Sequence, residues 1–173
     1  MVIRRFIMLG ERRRLWHRRG MNSVDHESRM HRRLVDVLYV EAMLLADEAR
    51  AYFDEIGRAE REALDPLIRV SFSCESLKVT TRLMHVIAWL LTQRAVQSGE
   101  LRARDALDPS RRLGDAPVTD DILLDRLPPR ARDLVESSAD LHRRVARLDL
   151  AQDGPRSVTS PALSMQIRLA NAF

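Results

Sequence analysis

Apolar residues recur along this chain at helical rather than strand spacing. Between about Ser28 and Ile56, the positions Leu34, Leu38, Ala42, Leu45, Ala49, Tyr52 and Ile56 follow one another at intervals of three or four, which places all seven on one face of a helix. A second apolar row, Val37, Val40, Leu44 and Ala51, falls well away from the first, and Asp36, Asp47 and Asp54 take the remaining sector. Two apolar rows require two neighbours, so Val37, Val40 and Leu44 are candidates for a bundle or dimer interface. Gly57, the charged run to Glu62 and Asp65-Pro66 then predict a turn, because proline disfavours the helical region for the residue before it.

A second helix is predicted from roughly Cys74 to Gln97, with a short turn at 66–72 leading into it. It stops at Ser98-Gly99, where glycine supplies a left-handed terminal conformation. Leu77, Met84, Ala88, Leu91 and Ala95, flanked by Leu83, Ile87 and Leu90, read as its core stripe. On the opposite side, Lys78, Arg82, His85 and Trp89 fall within a sector of about 60°. Tryptophan and arginine are enriched where partners dock, which makes these four the candidate partner-binding residues. The alternative is that the following connector, the tail or a carboxylate row from the first helix covers Trp89.

Residues 100–129 are interrupted by Asp108-Pro109, Gly114, Pro117 and Pro128-Pro129, so they read as a connector with one helical turn at Asp120 to Arg126. A third helix, about Pro129 to Ala151, carries a narrow seam of Leu134, Ser138, Leu141, Val145 and Leu148 flanked by arginines. From Gln152 onward, Gly-Pro and Ser-Pro elements predict a flexible tail dotted with Leu163, Met165, Ile167, Leu169 and Phe173. The chain therefore divides into a disordered basic arm or mis-assigned start (1–24), an all-α, antiparallel three-helix bundle with a long connector between its second and third helices (25–151), and a C-terminal tail (152–173).

Composition agrees with one helical domain: 173 residues, 45% hydrophobic, 5% aromatic, 6 Gly and 7 Pro are too few turn formers for an all-β fold. The apolar run Val86 to Leu91 is far below the ~20 residues that span a bilayer, so no membrane span is expected. Charge is uneven. Residues 1–33 hold ten arginines against three acids, so although the whole chain is +4, the remainder carries −3. The basic balance thus belongs to the opening segment, for which Met21 is an alternative start. An arginine-armed nucleic-acid-binding protein is the alternative reading, and it predicts binding that falls steeply with salt. The mildly acidic body argues against it.

Reactive chemistry is not apparent. The single cysteine, Cys74, reads as a plain buried thiol with no disulfide partner, which suits a cytoplasmic protein. None of the five histidines forms the i,i+4 pair of a helical zinc site, and the isolated glycines build neither a phosphate loop nor a nucleophile elbow. The acidic pairs Asp47/Glu48 and Asp54/Glu55 lack the Glu-x-x-His partners of a di-metal bundle. No catalytic residue, metal ligand or cofactor is assigned, and the chain is read as a non-enzyme.

The central block resembles a known family. Tyr39-Val40-Glu41-Ala42, Asp65-Pro66-Leu67, Ser73-Cys74-Glu75-Ser76-Leu77, Thr80-Thr81-Arg82-Leu83-Met84, Ala88-Trp89-Leu90-Leu91 and Arg144-Val145-Ala146-Arg147-Leu148-Asp149 are similar to the family of the regulator of CtrA degradation, RcdA, over about residues 28–151. The resemblance implies a small helical-bundle adaptor that forms a homodimer. It further implies service to the ClpXP protease in bacterial cell-cycle proteolysis, with ClpX, other adaptors and substrates as partners and a functional flexible C-terminal region. It supplies no catalytic residue.

Overall fold

Helix α1 (Ile7–Ala51) runs without a break into a single π-turn, Tyr52–Ile56, in the computed structural model of the chain. The structure describes the backbone of residues 7–152 and the side chains of residue 26 and residues 28–152. The expectations for the side chains of the basic arm and for the tail from residue 153 lie outside these residues. The helix starts well before the Ser28 boundary that periodicity predicts. Its opening turns carry no sustained apolar period, but they are rich in Arg, Leu, Met and Glu, whose intrinsic helix propensity is high.

The π-turn closes on Gly57, whose N–H donates to the Tyr52 carbonyl at 2.7 Å. A Cβ on Gly57 would lie 2.9 Å from both that carbonyl oxygen and the Tyr52 ring, so only glycine fits. Tyr52 itself is buried, and its hydroxyl donates to Glu60 Oε2 at 2.5 Å on the short helix α2 (Arg58–Ala63). Asp65 then caps helix α3 (Pro66–Ser98) by accepting from the Leu67 N–H, and Pro66 occupies the first turn, where its missing N–H costs nothing. Gly99 ends α3 in the left-handed region at φ 82°, as the sequence predicts.

The connector carries two 3₁₀ turns, Asp105–Leu107 and Pro109–Arg111, and then helix α4 (Asp121–Leu124), close to the predicted turn. Helix α5 (Pro129–Leu150) completes an all-α three-helix bundle. Asp36 meets Arg94, and Phe53 meets Phe72, so α1 and α3 are antiparallel. Glu41 meets Arg144, and Tyr52 meets Arg130, so α1 is antiparallel to α5 as well. Arg82 meets Ser138, Trp89 meets Asp149 and Gln93 meets Gln152. Helices α3 and α5 therefore run in the same direction, because the connector carries the chain back along the length of α3 before α5 begins.

The core is built from Val35, Leu38 and Ala42 of α1, Phe72, Val79, Leu83, Val86 and Leu90 of α3, and Ala131, Leu134, Leu141 and Val145 of α5. On α1 the expected stripe is buried at Leu38, Ala42, Ala49 and Tyr52, whereas its ends, Leu34 and Ile56, are exposed. On α3 the flanking Leu83 and Leu90 are buried as expected, but the stripe between them turns outward. Leu77 is 68% exposed and Met84 64%, with Leu91 and Ala88 exposed beside them, while the side carrying Arg82 and Trp89 faces inward. Cys74 turns outward with the first set and is not the buried thiol expected.

The Tyr52–Glu60 contact gives a pH signature. Burial, reinforced by Glu60, raises the Tyr52 hydroxyl above its ordinary value of 10.0. The stabilisation is therefore complete below pH 10 and is lost as pH rises further, because the phenol of the unfolded chain ionises first. Tyr52→Phe should cost about 1–2 kcal/mol at neutral pH, the worth of a buried hydrogen bond to a charged acceptor. Thermal melts of both proteins from pH 8 upward should show that gap shrinking above pH 10; a gap independent of pH removes this account.

A candidate interaction site: the strapped face and the open face of helix three

Glu75, Arg82 and Trp89 recur every seven residues on α3, and seven residues of an α-helix bring a side chain back to nearly the same direction. The row lies next to the core stripe of Val79 and Val86, so packing against α5 buries it too. Arg82 is 2% exposed and Trp89 1%. The prediction of an open docking face at Lys78, Arg82, His85 and Trp89 is corrected in this respect: the connector lies across it.

A buried guanidinium needs acceptors, and the connector supplies them. Arg82 Nη2 donates to the Pro117 carbonyl at 2.7 Å and to Thr119 Oγ1 at 2.6 Å, and Nη1 donates to Ser138 Oγ of α5 at 3.3 Å. The Thr119 hydroxyl in turn donates a hydrogen bond to Glu75 Oε2 at 2.7 Å, and Lys78 Nζ pairs with the other carboxylate oxygen at 2.7 Å. Burial pushes Arg82 below its ordinary pKa, and the nearby Glu75 charge opposes that shift. Lys78 is half-buried at the edge of this network.

Further contacts at Gly114 and Arg112 fasten the strap. His85 lies flat against Gly114, where an added Cβ would stand 2.6 Å from its Nδ1, so the connector passes at this level only as glycine. From α5, His142 Nε2 hydrogen-bonds the Gly114 carbonyl at 2.8 Å. Higher up, Trp89 Nε1 donates to Asp149 Oδ1 at 2.6 Å. The same oxygen accepts from Arg112 Nε at 2.8 Å, and Arg112 Nη2 reaches the Asp149 carbonyl at 3.0 Å. One carboxylate thus joins α3, the connector and the last turn of α5.

Beside the strap, an open cleft of about 750 Å³ is lined by Arg82, Thr119 and Glu136 with the ion-paired group Glu41, Asp140 and Arg144. Arg144 hydrogen-bonds Glu41 through two nitrogens and forms an ion pair with Asp140, Nε to Oδ2 at 3.0 Å, and its bond to Glu41 raises its pKa. Arg143 also pairs with Asp140, at 3.2 Å, so the two carboxylates face two guanidinium groups. Among the described residues, no group of three His, Cys, Asp or Glu is placed to hold a metal ion, and no helix is long and apolar enough to cross a membrane.

Unpartnered surface lies elsewhere. Val37 is 63% exposed, with Val40 and Leu44 exposed along the same helix, so the second apolar row of α1 is not used inside the bundle. On α3 the open apolar surface is the row that sequence reading placed in the core. Sequence reasoning missed the Glu75–Thr119 and Arg112–Asp149 contacts. The available signal was volume: Phe72 and Trp89 fall on the inner side of α3, whereas Cys74, Thr81 and Ala88 fall on the outer side.

Removing the guanidinium should loosen the strap. Arg82→Met should cost about 3 kcal/mol, since it leaves a buried carboxylate and several buried oxygens short of a donor. Trypsin should then cut after Arg111 and Arg112 faster than in the unchanged protein, with α3 and α5 still helical by circular dichroism. Unaltered melting and cleavage would show that the connector is held by something else.

The comparisons with known proteins accord with this architecture. Residues 26–173 match the family described as "Protein of unknown function (DUF1465)", the family domain of RcdA. The crystal structure of RcdA from Caulobacter crescentus is similar at 34% identity and a TM-score of 0.57, covering 69% of this chain and 90% of that one. Among curated proteins there is no match. The chain belongs to the RcdA family.

Proposed function

We propose that this chain is a non-enzymatic adaptor in regulated proteolysis, cytoplasmic and self-associating, that helps deliver cell-cycle substrates to the ClpXP protease. The observation that carries the reading is membership of the RcdA family, whose name denotes a regulator of CtrA degradation. The geometry is compatible with it. Exposed apolar rows on α1 and α3 offer contact surface, while the connector's polar groups are consumed in holding the bundle together. Tethering a substrate beside an unfoldase raises its effective concentration without any bond-making group.

In this reading the strapped row acts at a distance. Arg82 and Trp89 hold the connector, and Lys78 and His85 at its margin are the members of that set within reach of a partner. Val37, Val40 and Leu44 are the open apolar contacts of α1.

The full chain, added to purified ClpXP with ATP, a response-regulator adaptor and a cell-cycle substrate, should raise the degradation rate several-fold. Val37→Glu combined with Leu44→Glu, both on exposed positions, should abolish most of that gain with little change in melting temperature. Retention of nucleic acid alone, or a degradation rate unmoved by the chain, would overturn the proposal.

A further inference from the structure

The outward row of α3 has a regular order that the bundle itself does not use. Val70, Leu77, Met84 and Leu91 recur every seven residues, and all four are exposed large apolar side chains. Between them, also every seven residues, stand the small uncharged residues Cys74, Thr81, Ala88 and Ala95, of which the first three are exposed. Intervals alternating between four and three from Val70 to Ala95 make the heptad seam by which one helix packs along another. The strip is about 38 Å long at 1.5 Å per residue, and it carries no charge.

The order of sizes selects the partner. When the strip is reversed about the midpoint between Arg82 and Leu83, Val70 falls opposite Ala95, Cys74 opposite Leu91, Leu77 opposite Ala88, and Thr81 opposite Met84. Every layer then holds one large and one small residue, so the layers have near-equal volume and the helix axes can approach closely along the whole strip. A parallel arrangement would alternate layers of two large residues with layers of two small ones, crowding the first and leaving gaps in the second. Self-complementarity under reversal is the property of an isologous two-fold contact.

We propose that a second copy of this chain docks antiparallel on the outer face of α3, with Leu77 and Met84 as its central anchors. The proposal rests on the self-association included in the proposed function and names its face and direction. Those of α1, Val37, Val40 and Leu44, are left open for other partners.

Cys74 makes the register measurable. In the antiparallel seam, Cys74 of one copy lies against residue 91 of the other, whereas the two Cys74 residues stand about 25 Å apart along the axis, far beyond disulfide reach. Leu91→Cys in the full chain should therefore form a disulfide-linked dimer under mild oxidation, and the unchanged protein should run as a monomer on a non-reducing gel. Leu91→Cys with Cys74→Ser should run as a monomer too. Leu77→Glu, on an exposed position, should weaken the dimer at least tenfold in sedimentation equilibrium with its helicity retained.

Cross-linking of the unchanged protein through Cys74 alone would establish a parallel seam and overturn the direction. A dimer that survives Leu77→Glu and leaves Leu91→Cys unlinked would place the contact on another face while sparing the adaptor reading. Monomers throughout would remove self-association itself; the degradation assay reads substrate delivery separately.

Discussion

A guanidinium with 2% of its surface exposed has to be solvated by the protein, and most of the remaining structure follows from how that is done. Arg82 finds its acceptors in Pro117, Thr119 and Ser138, and Thr119 in turn satisfies Glu75. These groups come from α3, the connector and α5, so the network can close only when the connector lies along the bundle. That course returns the chain to the far end of α3, and α5 consequently runs parallel to α3 and not back against it. A segment with little regular structure of its own is thereby tied to two helices.

The same network sets the rotation of α3 about its axis. Helix three has apolar residues on two opposite sides, and either could form a core. Facing Glu75, Arg82 and Trp89 inward places Phe72, Val79, Leu83, Val86 and Leu90 in the interior and leaves Leu77, Met84 and Leu91 outside. A Trp89 indole N–H that ended in an apolar interior without an acceptor would be costly, and Asp149 removes that cost by accepting at 2.6 Å. Arg112 binds the same carboxylate, so the charge of Asp149 is compensated as well. Buried polar groups thus accompany the choice of which apolar side of α3 faces the core.

That is also why the sequence was legible in some respects and opaque in others. The spacing of Leu38, Ala42, Ala49 and Tyr52 on α1, the Gly99 stop and the Pro129 start are local signals, and the structure carries each of them, whereas α3 begins at Pro66, ahead of the Cys74 start that periodicity predicts. The orientation of α3 depends on partners such as Thr119, Ser138 and Asp149, which lie 37 to 60 residues away and carry no local mark. Periodicity marks α3 as a core helix, but the stripe of Leu77, Met84 and Leu91 that it selects faces outward, and the core runs instead through Phe72, Val79, Leu83, Val86 and Leu90. Aromatic bulk at Phe72 and Trp89 was the better guide, since large rings leave water more favourably than alanines do. The connector's role was unreadable for a related reason: Gly114 looks like a turn former, yet its place is dictated by the His85 ring that a Cβ would strike.

Locking the connector has a consequence for how a protein of this kind binds others. Each loop that remained mobile over α3 would have to be ordered when a partner arrived, and that ordering opposes association. Here the ordering is complete before any partner arrives, because Arg82, His142 and Asp149 have fixed the strap. The outer rows of α1 and α3 are then presented on rods whose spacing is set by the core between them. Preorganised surfaces hold their binding free energy in reserve for contacts, and they keep separate faces geometrically independent. The proposed adaptor role draws on that independence: one face can be occupied while another stays available, and occupancy of the first need not distort the second.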